Sequence, residues 1–159
     1  MKKIITLIVL IMTLNSCAEK IVINREVDST EYGKMLLGTQ SFDQFHKEPY
    51  KVWFDENYKI YPTDKPSIEA LKKAKINSYS ITVFLGTWCG DSKRNFPRLM
   101  KILDETKFPK SKLHIIGVNR KKQSPNGEEA KYNIVKVPTI ILEKYGKEIG
   151  RITEEPETG

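Results

Sequence analysis

Two cysteines, Cys17 and Cys89, and two histidines, His46 and His114, are all that 159 residues hold of the strongest metal-ligating side chains. That scarcity excludes a disulfide-dense scaffold and leaves no Cys/His cluster with the spacing of a metal site. No metal and no other cofactor is therefore expected. Glycine-rich phosphate loops are missing as well, because "GKMLLGTQ" (33–40) lacks the G-x-x-x-x-G-K spacing. The longest apolar run, Ile4 to Leu14, is too short to span a bilayer as a helix. There is no internal repeat and no low-complexity stretch. The lysines and arginines that give a net charge of +7 are scattered and not interleaved with aromatics, so they form solvated faces and no nucleic-acid partner is expected.

What is present fits one domain with a real core. Hydrophobic residues make up 39% and charged residues 30%, which places the chain among globular rather than disordered sequences. Its start has a different character. Lys2 and Lys3 precede the apolar run, and Leu14-Asn15-Ser16-Cys17 follows it. An aliphatic residue, a small residue and then cysteine resemble a bacterial lipoprotein signal. That resemblance implies a signal peptide over 1–16, a lipid on Cys17, and a protein tethered to an envelope membrane that faces an extracytoplasmic compartment. Asn15 departs from the usual pattern, and an ordinary secretory signal containing a cysteine is the other reading. With Cys17 lipidated, Cys89 is the only free thiol.

Residues 17–30 are polar and mixed and predict a tether. The rest, 31–159, forms the domain, with an N-terminal extension before its core motifs at 79–152. Ser41 to Phe45 and Pro66 to Lys75 carry helix signals. "YKVWFDENYKIYP" (50–62) alternates enough to predict a short strand or hairpin. "SITVFLG" (80–86) has the apolar, β-branched character of a buried central strand. Residues 92–106 put Phe96, Leu99, Met100 and Leu103 on one helical face, with Asp91 or Ser92 as the expected cap. "KLHIIGV" (112–118), "PTIILE" (138–143) and "EIGRI" (148–152) predict three more strands, the last two as a hairpin. A short helix in "NGEEAKYNI" precedes that hairpin. The order β-α-β-α-β-β predicts an α/β sandwich with a mixed central sheet and flanking helices.

The chemistry concentrates in "GTWCGDS" (86–92). Cys89 falls between a strand end and a helix start, where unpaired backbone N–H groups attract negative charge. Lys93 and Arg94 add positive charge nearby, and Asp91 opposes them. A loop cysteine flanked by glycine and aspartate is not core composition, so Cys89 is expected to be reactive rather than inert.

Trp88-Cys89-Gly90 after a strand, Pro97 eight residues on, and Val137-Pro138-Thr139 opening a later strand resemble the thioredoxin family over about half the chain, roughly 79–152. The resemblance implies a thioredoxin-like fold and thiol–disulfide exchange at Cys89. It implies that Pro138 is the family's cis-proline facing that cysteine, and that Trp88, Val137 and Pro138 present the substrate. Two departures stand out. Ser92 occupies the place of the family's resolving cysteine, and Val83 the place of its buried aspartate. A thiolate can attack a disulfide without a second thiol, but it cannot release the adduct internally. The expected activity is that of a monothiol oxidoreductase acting on protein or peptide thiols and disulfides, with an external resolving thiol. A non-catalytic protein- or peptide-binding lipoprotein is the alternative. A third reading is likeness to monothiol glutaredoxins, whose Cys-Gly-x-Ser site uses glutathione and can hold an iron–sulfur cluster. The lipoprotein-like start and the lack of an evident glutathione-binding pattern weigh against it. His114 lies near the start of its strand, roughly 13 Å from the site end at about 3.3 Å per residue, which excludes it as a partner for Cys89. Thioredoxins close with a helix after the last strand. Here "TEEPETG" (153–159) is too short and polar for one, so either segment 31–78 covers that face or the chain is a shortened member.

Overall fold

The computed structural model describes residues 22–156. The expected signal and lipidation site at 1–17 lie outside them. Six strands form one sheet in the order β1-β2-β4-β3-β5-β6: β1 Arg25–Ser29, β2 Gly33–Gln40, β3 Ser80–Leu85, β4 Leu113–Gly117, β5 Thr139–Lys144 and β6 Lys147–Thr153. β3 and β4 run parallel, and every other pairing is antiparallel. The mixed sheet with helices on it is the expected architecture.

The N-terminal part differs from the sequence-based expectation in two places. Residues 25–29, assigned to a tether, pair with β2 from Arg25↔Leu37 to Ser29↔Gly33. Their alternation of half-buried Val27 and Ser29 with charged neighbours is weak, which hid the strand. The stretch expected as a strand or hairpin is instead a helix, α1 Tyr50–Ile60. Its two fully buried residues, Tyr50 and Phe54, stand four apart and share one helical face. The apparent alternation came from Val52, which points to solvent and is 62% exposed.

The other helices follow their sequence signals. In α2 Lys65–Lys73, the Asp64 carboxylate accepts the Ser67 backbone N–H at 2.8 Å, and Pro66 sits in the first turn. α3 Gly90–Glu105 buries Phe96, Met100 and Leu103 as its periodicity predicts. Its cap residue is Cys89 itself, with no side-chain capping bond, so neither Asp91 nor Ser92 takes the capping role. Pro97 inside α3 leaves the Lys93 carbonyl without its helical donor. α4 Glu128–Lys131 is a single turn.

β3 divides its side chains between two cores. Ile81, Val83 and Leu85 join Phe45, Tyr50, Phe54, Phe96, Met100 and Ile115 on the α3 side. Phe84 joins Ile116, Val118, Ile134, Val137 and Ile141 on the other. The larger cluster is aromatic: the Phe45 and Phe96 rings are 4.6 Å apart, and those of Phe54 and Phe96 5.9 Å. Side-chain hydrogen bonds fasten this N-terminal cover to α3, among them Tyr58 to Asp104 at 2.9 Å, Thr63 to Glu105 at 2.8 Å and Lys101 to the Tyr61 carbonyl at 2.6 Å. Residues 42–78 thus pack with α3 on this face of the sheet, contributing Phe45, Tyr50, Phe54 and Ile76 to its core. Between α3 and the β5–β6 hairpin an apolar groove of about 390 Å³ stays open, lined by Leu99, Ile102, Leu142 and Ile152 among others.

Candidate functional site

The end of β3 feeds a tight turn in which the Cys89 N–H donates to the Gly86 carbonyl at 2.8 Å. This turn sets Cys89 at the mouth of α3, half-buried, with its Sγ 3.4 Å from the Val137 carbonyl. The Val137–Pro138 peptide is cis, and a second cis bond joins Glu48 to Pro49. Trp88, Cys89 and the Val137-Pro138 pair, far apart in sequence, are therefore brought together. Val83 is fully buried in the large core, so no carboxylate occupies that position.

Ser92 is one helical turn on from Cys89 and only 1% exposed. Its Oγ accepts the Gly86 backbone N–H at 3.2 Å. The hydroxyl thus ties the helix to the loop before the cysteine. Gly86 could carry no side chain, since a Cβ there would lie 2.5 Å from Trp88 Cε2. The indole lies over this glycine, and its Nε1 donates to the Val118 carbonyl at 2.9 Å, which locks the ring across the ends of β3 and β4. Thr87 secures the other side by accepting the Leu36 N–H at 3.3 Å.

Asp91 is engaged by a partner of its own. Arg94 holds it at 2.9 Å and also pairs with Glu155. The Asn95 amide donates to the Glu154 carbonyl at 2.9 Å, and the Glu154 N–H donates to the Pro138 carbonyl at 2.7 Å. Residues 154–155 therefore strap α3 to the start of β5 beside the site. His114 is exposed on β4 and pairs in register with Thr82, away from Cys89. His46 packs its ring edge-on against Phe42 and Phe54. Among the described residues no group of three or more His, Cys, Asp or Glu side chains could hold a metal, and no helix is long and apolar enough to cross a membrane.

Sequence reasoning missed Arg120 and Tyr32. The Arg120 guanidinium sits 4.1 Å from the Tyr32 ring centroid and 5.1 Å from that of Trp88. One signal was available for Arg120. It follows β4 by three residues and so lies at the same strand ends as Cys89.

The thioredoxin family model matches residues 68–158 of this chain. The chain belongs to the thioredoxin family. Thiol–disulfide redox chemistry is the function that membership suggests. Among solved structures, the thioredoxin fold of this chain resembles a protein of unknown function from Pseudomonas aeruginosa at 15% identity and a TM-score of 0.56. That match covers 76% of this chain and 75% of the other. An HIV epitope-scaffold protein matches at 16% identity and 0.54, over 74% of this chain and 73% of the other. Mitochondrial thioredoxin 3 from Saccharomyces cerevisiae matches at 24% identity and 0.38, over 63% of this chain and 90% of that one. No curated protein sequence matches the chain.

Proposed function

We propose that this thioredoxin-family protein performs thiol–disulfide exchange through Cys89 alone, with an external thiol resolving each adduct. The observation that carries this reading is the pairing of a half-buried thiol at a helix mouth with Ser92 one turn on, its hydroxyl engaged by Gly86. Cys89 as thiolate attacks one sulfur of a substrate disulfide. The Cys89–substrate S–S bond forms, the substrate's own S–S bond breaks, and the departing thiolate takes up the proton that Cys89 gave to solvent. Because Ser92 offers no second sulfur, the adduct waits for a thiol from outside. That thiol attacks the Cys89 adduct, frees Cys89 and leaves with the substrate half. Trp88 gives the substrate apolar contact, and the backbone at Val137 lies beside the reacting sulfur.

The sequence of residues 1–17 supports a lipid anchor at Cys17 and exposure to an extracytoplasmic compartment. Cys17→Ser is expected to shift the protein to soluble fractions or block its processing, and unchanged partition and processing would contradict the anchor. For the chemistry, adducts trapped in intact cells and resolved without reductant test the reading. Thiol-sensitive adducts should form with the natural chain and vanish in Cys89→Ala. Identical adducts in both would contradict it, and full complementation by Cys89→Ala would favour a binding role.

A further inference from the structure

Beside the thiol lies a groove of about 290 Å³ to which the exchange chemistry assigns no role. Its walls include Tyr32, Lys34, Trp53, Trp88, Lys93 and Arg120. Trp88 precedes Cys89 in the chain, and Lys93 donates its backbone N–H to the Cys89 carbonyl at 3.0 Å, so both ends of the Cys89 turn border the groove. Of its ten wall residues, three are cations and four, with Tyr50, are aromatic.

The cations are not equivalent. Lys34 is paired with Glu26 at 2.9 Å. Neither Lys93 nor Arg120 forms an ion pair among the described residues. Arg120 is placed by two ring contacts, Tyr32 and Trp88, rather than by a carboxylate. A guanidinium placed by ring contacts rather than by a carboxylate retains N–H donors, and these match a carboxylate bidentately. Of the nearby acidic groups, Asp28 stands opposite Lys34 across the β1–β2 pair with no ion-pair partner among the described residues, and the others are engaged. Glu26 takes Lys34 and the Tyr50 hydroxyl, Glu31 takes the Tyr32 hydroxyl, and Asp91 takes Arg94.

We propose that this groove is an anion subsite, and that the substrates of Cys89 are disulfides in acidic polypeptide segments. This rests on the exchange reading above and names its substrate class. A carboxylate within a residue or two of the substrate cysteine would meet Arg120 and Lys93 while its sulfur meets Cys89. Trp88, shared by groove and site, orients the segment between them. On the opposite flank, at Val137-Pro138, the charges are already paired with one another, Lys136 with Glu154 and Arg94 with Asp91 and Glu155, so selection by charge falls to the Trp88 side.

The test uses the full chain with Cys17→Ser, which leaves Cys89 as its single thiol. Peptides carry one cysteine as a 2-thiopyridyl disulfide, flanked by glutamate, glutamine or lysine. Attack by Cys89 forms the protein–peptide disulfide, breaks the activated S–S bond and releases 2-thiopyridone, whose absorbance gives the rate. The glutamate peptide should react about fivefold to tenfold faster than the glutamine peptide, and the lysine peptide slowest, as for charge-assisted contacts that steer encounter. Arg120→Gln with Lys93→Gln should bring the ratio close to one; because the ratio is taken within one variant, any change in Cys89 itself cancels from it. Lys72→Gln with Lys73→Gln, on α2, removes the same charge elsewhere and should leave the ratio intact. Equal rates for glutamate and glutamine peptides overturn the subsite and leave the exchange chemistry standing. A ratio that falls equally in both double variants also overturns it, by assigning the preference to net charge. If no peptide reacts faster than with free cysteine, the exchange reading itself fails.

Discussion

On the α3 side of the sheet, Phe45, Tyr50, Phe54 and Phe96 close into one aromatic cluster with Leu36, Met100 and Ile115. On the other side a smaller cluster of six buried hydrophobic residues assembles among the described residues, and Trp88, Cys89 and Tyr132 rest against it. The first cluster is assembled largely from the N-terminal extension and the helix that carries the site. The second is where the site meets the sheet. Burial of four large rings makes the first face the main apolar contribution to stability. The second face has less apolar area and holds Trp88 and Cys89 by hydrogen bonds to backbone carbonyls. Stability and chemistry are thus separable: damage to one face should appear in unfolding, and damage to the other in the behaviour of Cys89.

The largest expected effect is a gain of chemistry on the site side. In the full chain with Cys17→Ser, the further change Ser92→Cys puts a second sulfur one helical turn from Cys89, where disulfide geometry needs Cβ atoms about 3.8 Å apart. Mild oxidation should take free thiols per folded molecule from two to none. The variant should also reduce insulin with a dithiol donor, slowly because Val83 cannot accept a proton. Two thiols persisting under conditions that fully oxidise a thioredoxin would break the assumed geometry. Next comes the core side. Phe54→Ala should cost about 3–5 kcal/mol in denaturant unfolding, with the Cys89 alkylation rate per folded molecule unchanged. A changed rate would dissolve the separation of the faces.

Gly86→Ala probes the boundary between them. Its Cβ would meet Trp88, so the indole must move and release Val118. A loss of about 1–3 kcal/mol is expected from the overpacking, together with altered alkylation of Cys89, a rate that Phe54→Ala leaves unchanged. The smallest effect concerns β1 and β2. The hydrogen bond from Lys34, with that of Tyr50, holds the Glu26 carboxyl below its ordinary value. Its contribution is therefore present above the unfolded value and lost as pH falls through the folded one. Because the pair is partly exposed, Glu26→Gln should remove less than about 1 kcal/mol at neutral pH and flatten the acid limb of stability against pH. An unchanged acid limb would remove this pair from the account.

Legibility from sequence followed the strength of local patterns. From residue 79 onward each element was marked: the β-branched run of β3, the 3.6-residue periodicity of α3, and Val137-Pro138-Thr139 before β5. Cys89, Trp88 and Pro138 were therefore legible as one site. The N-terminal extension was legible only in part: the helix signals at 41–45 and 66–75 correspond to helices, while β1 and α1 were missed. In α1, Val52 is apolar yet faces solvent, so propensity suggested alternation where tertiary packing selected the Tyr50–Phe54 face. Ser92 was legible as a missing cysteine but not as the acceptor for Gly86, because that bond depends on the turn between them. Arg120 and Tyr32 escaped because they meet only when the β1–β2 hairpin folds against the ends of β3 and β4.

The central claim is that one thiol captures a substrate and cannot release it unaided. The direct measurement is the mass of the full chain carrying Cys17→Ser after incubation with a symmetrical peptide disulfide and removal of excess reagent. One peptide per chain should be attached through Cys89, persist in the absence of thiol, and leave when a small thiol is added. No adduct at all, or an adduct that disappears with no thiol present, would contradict the account.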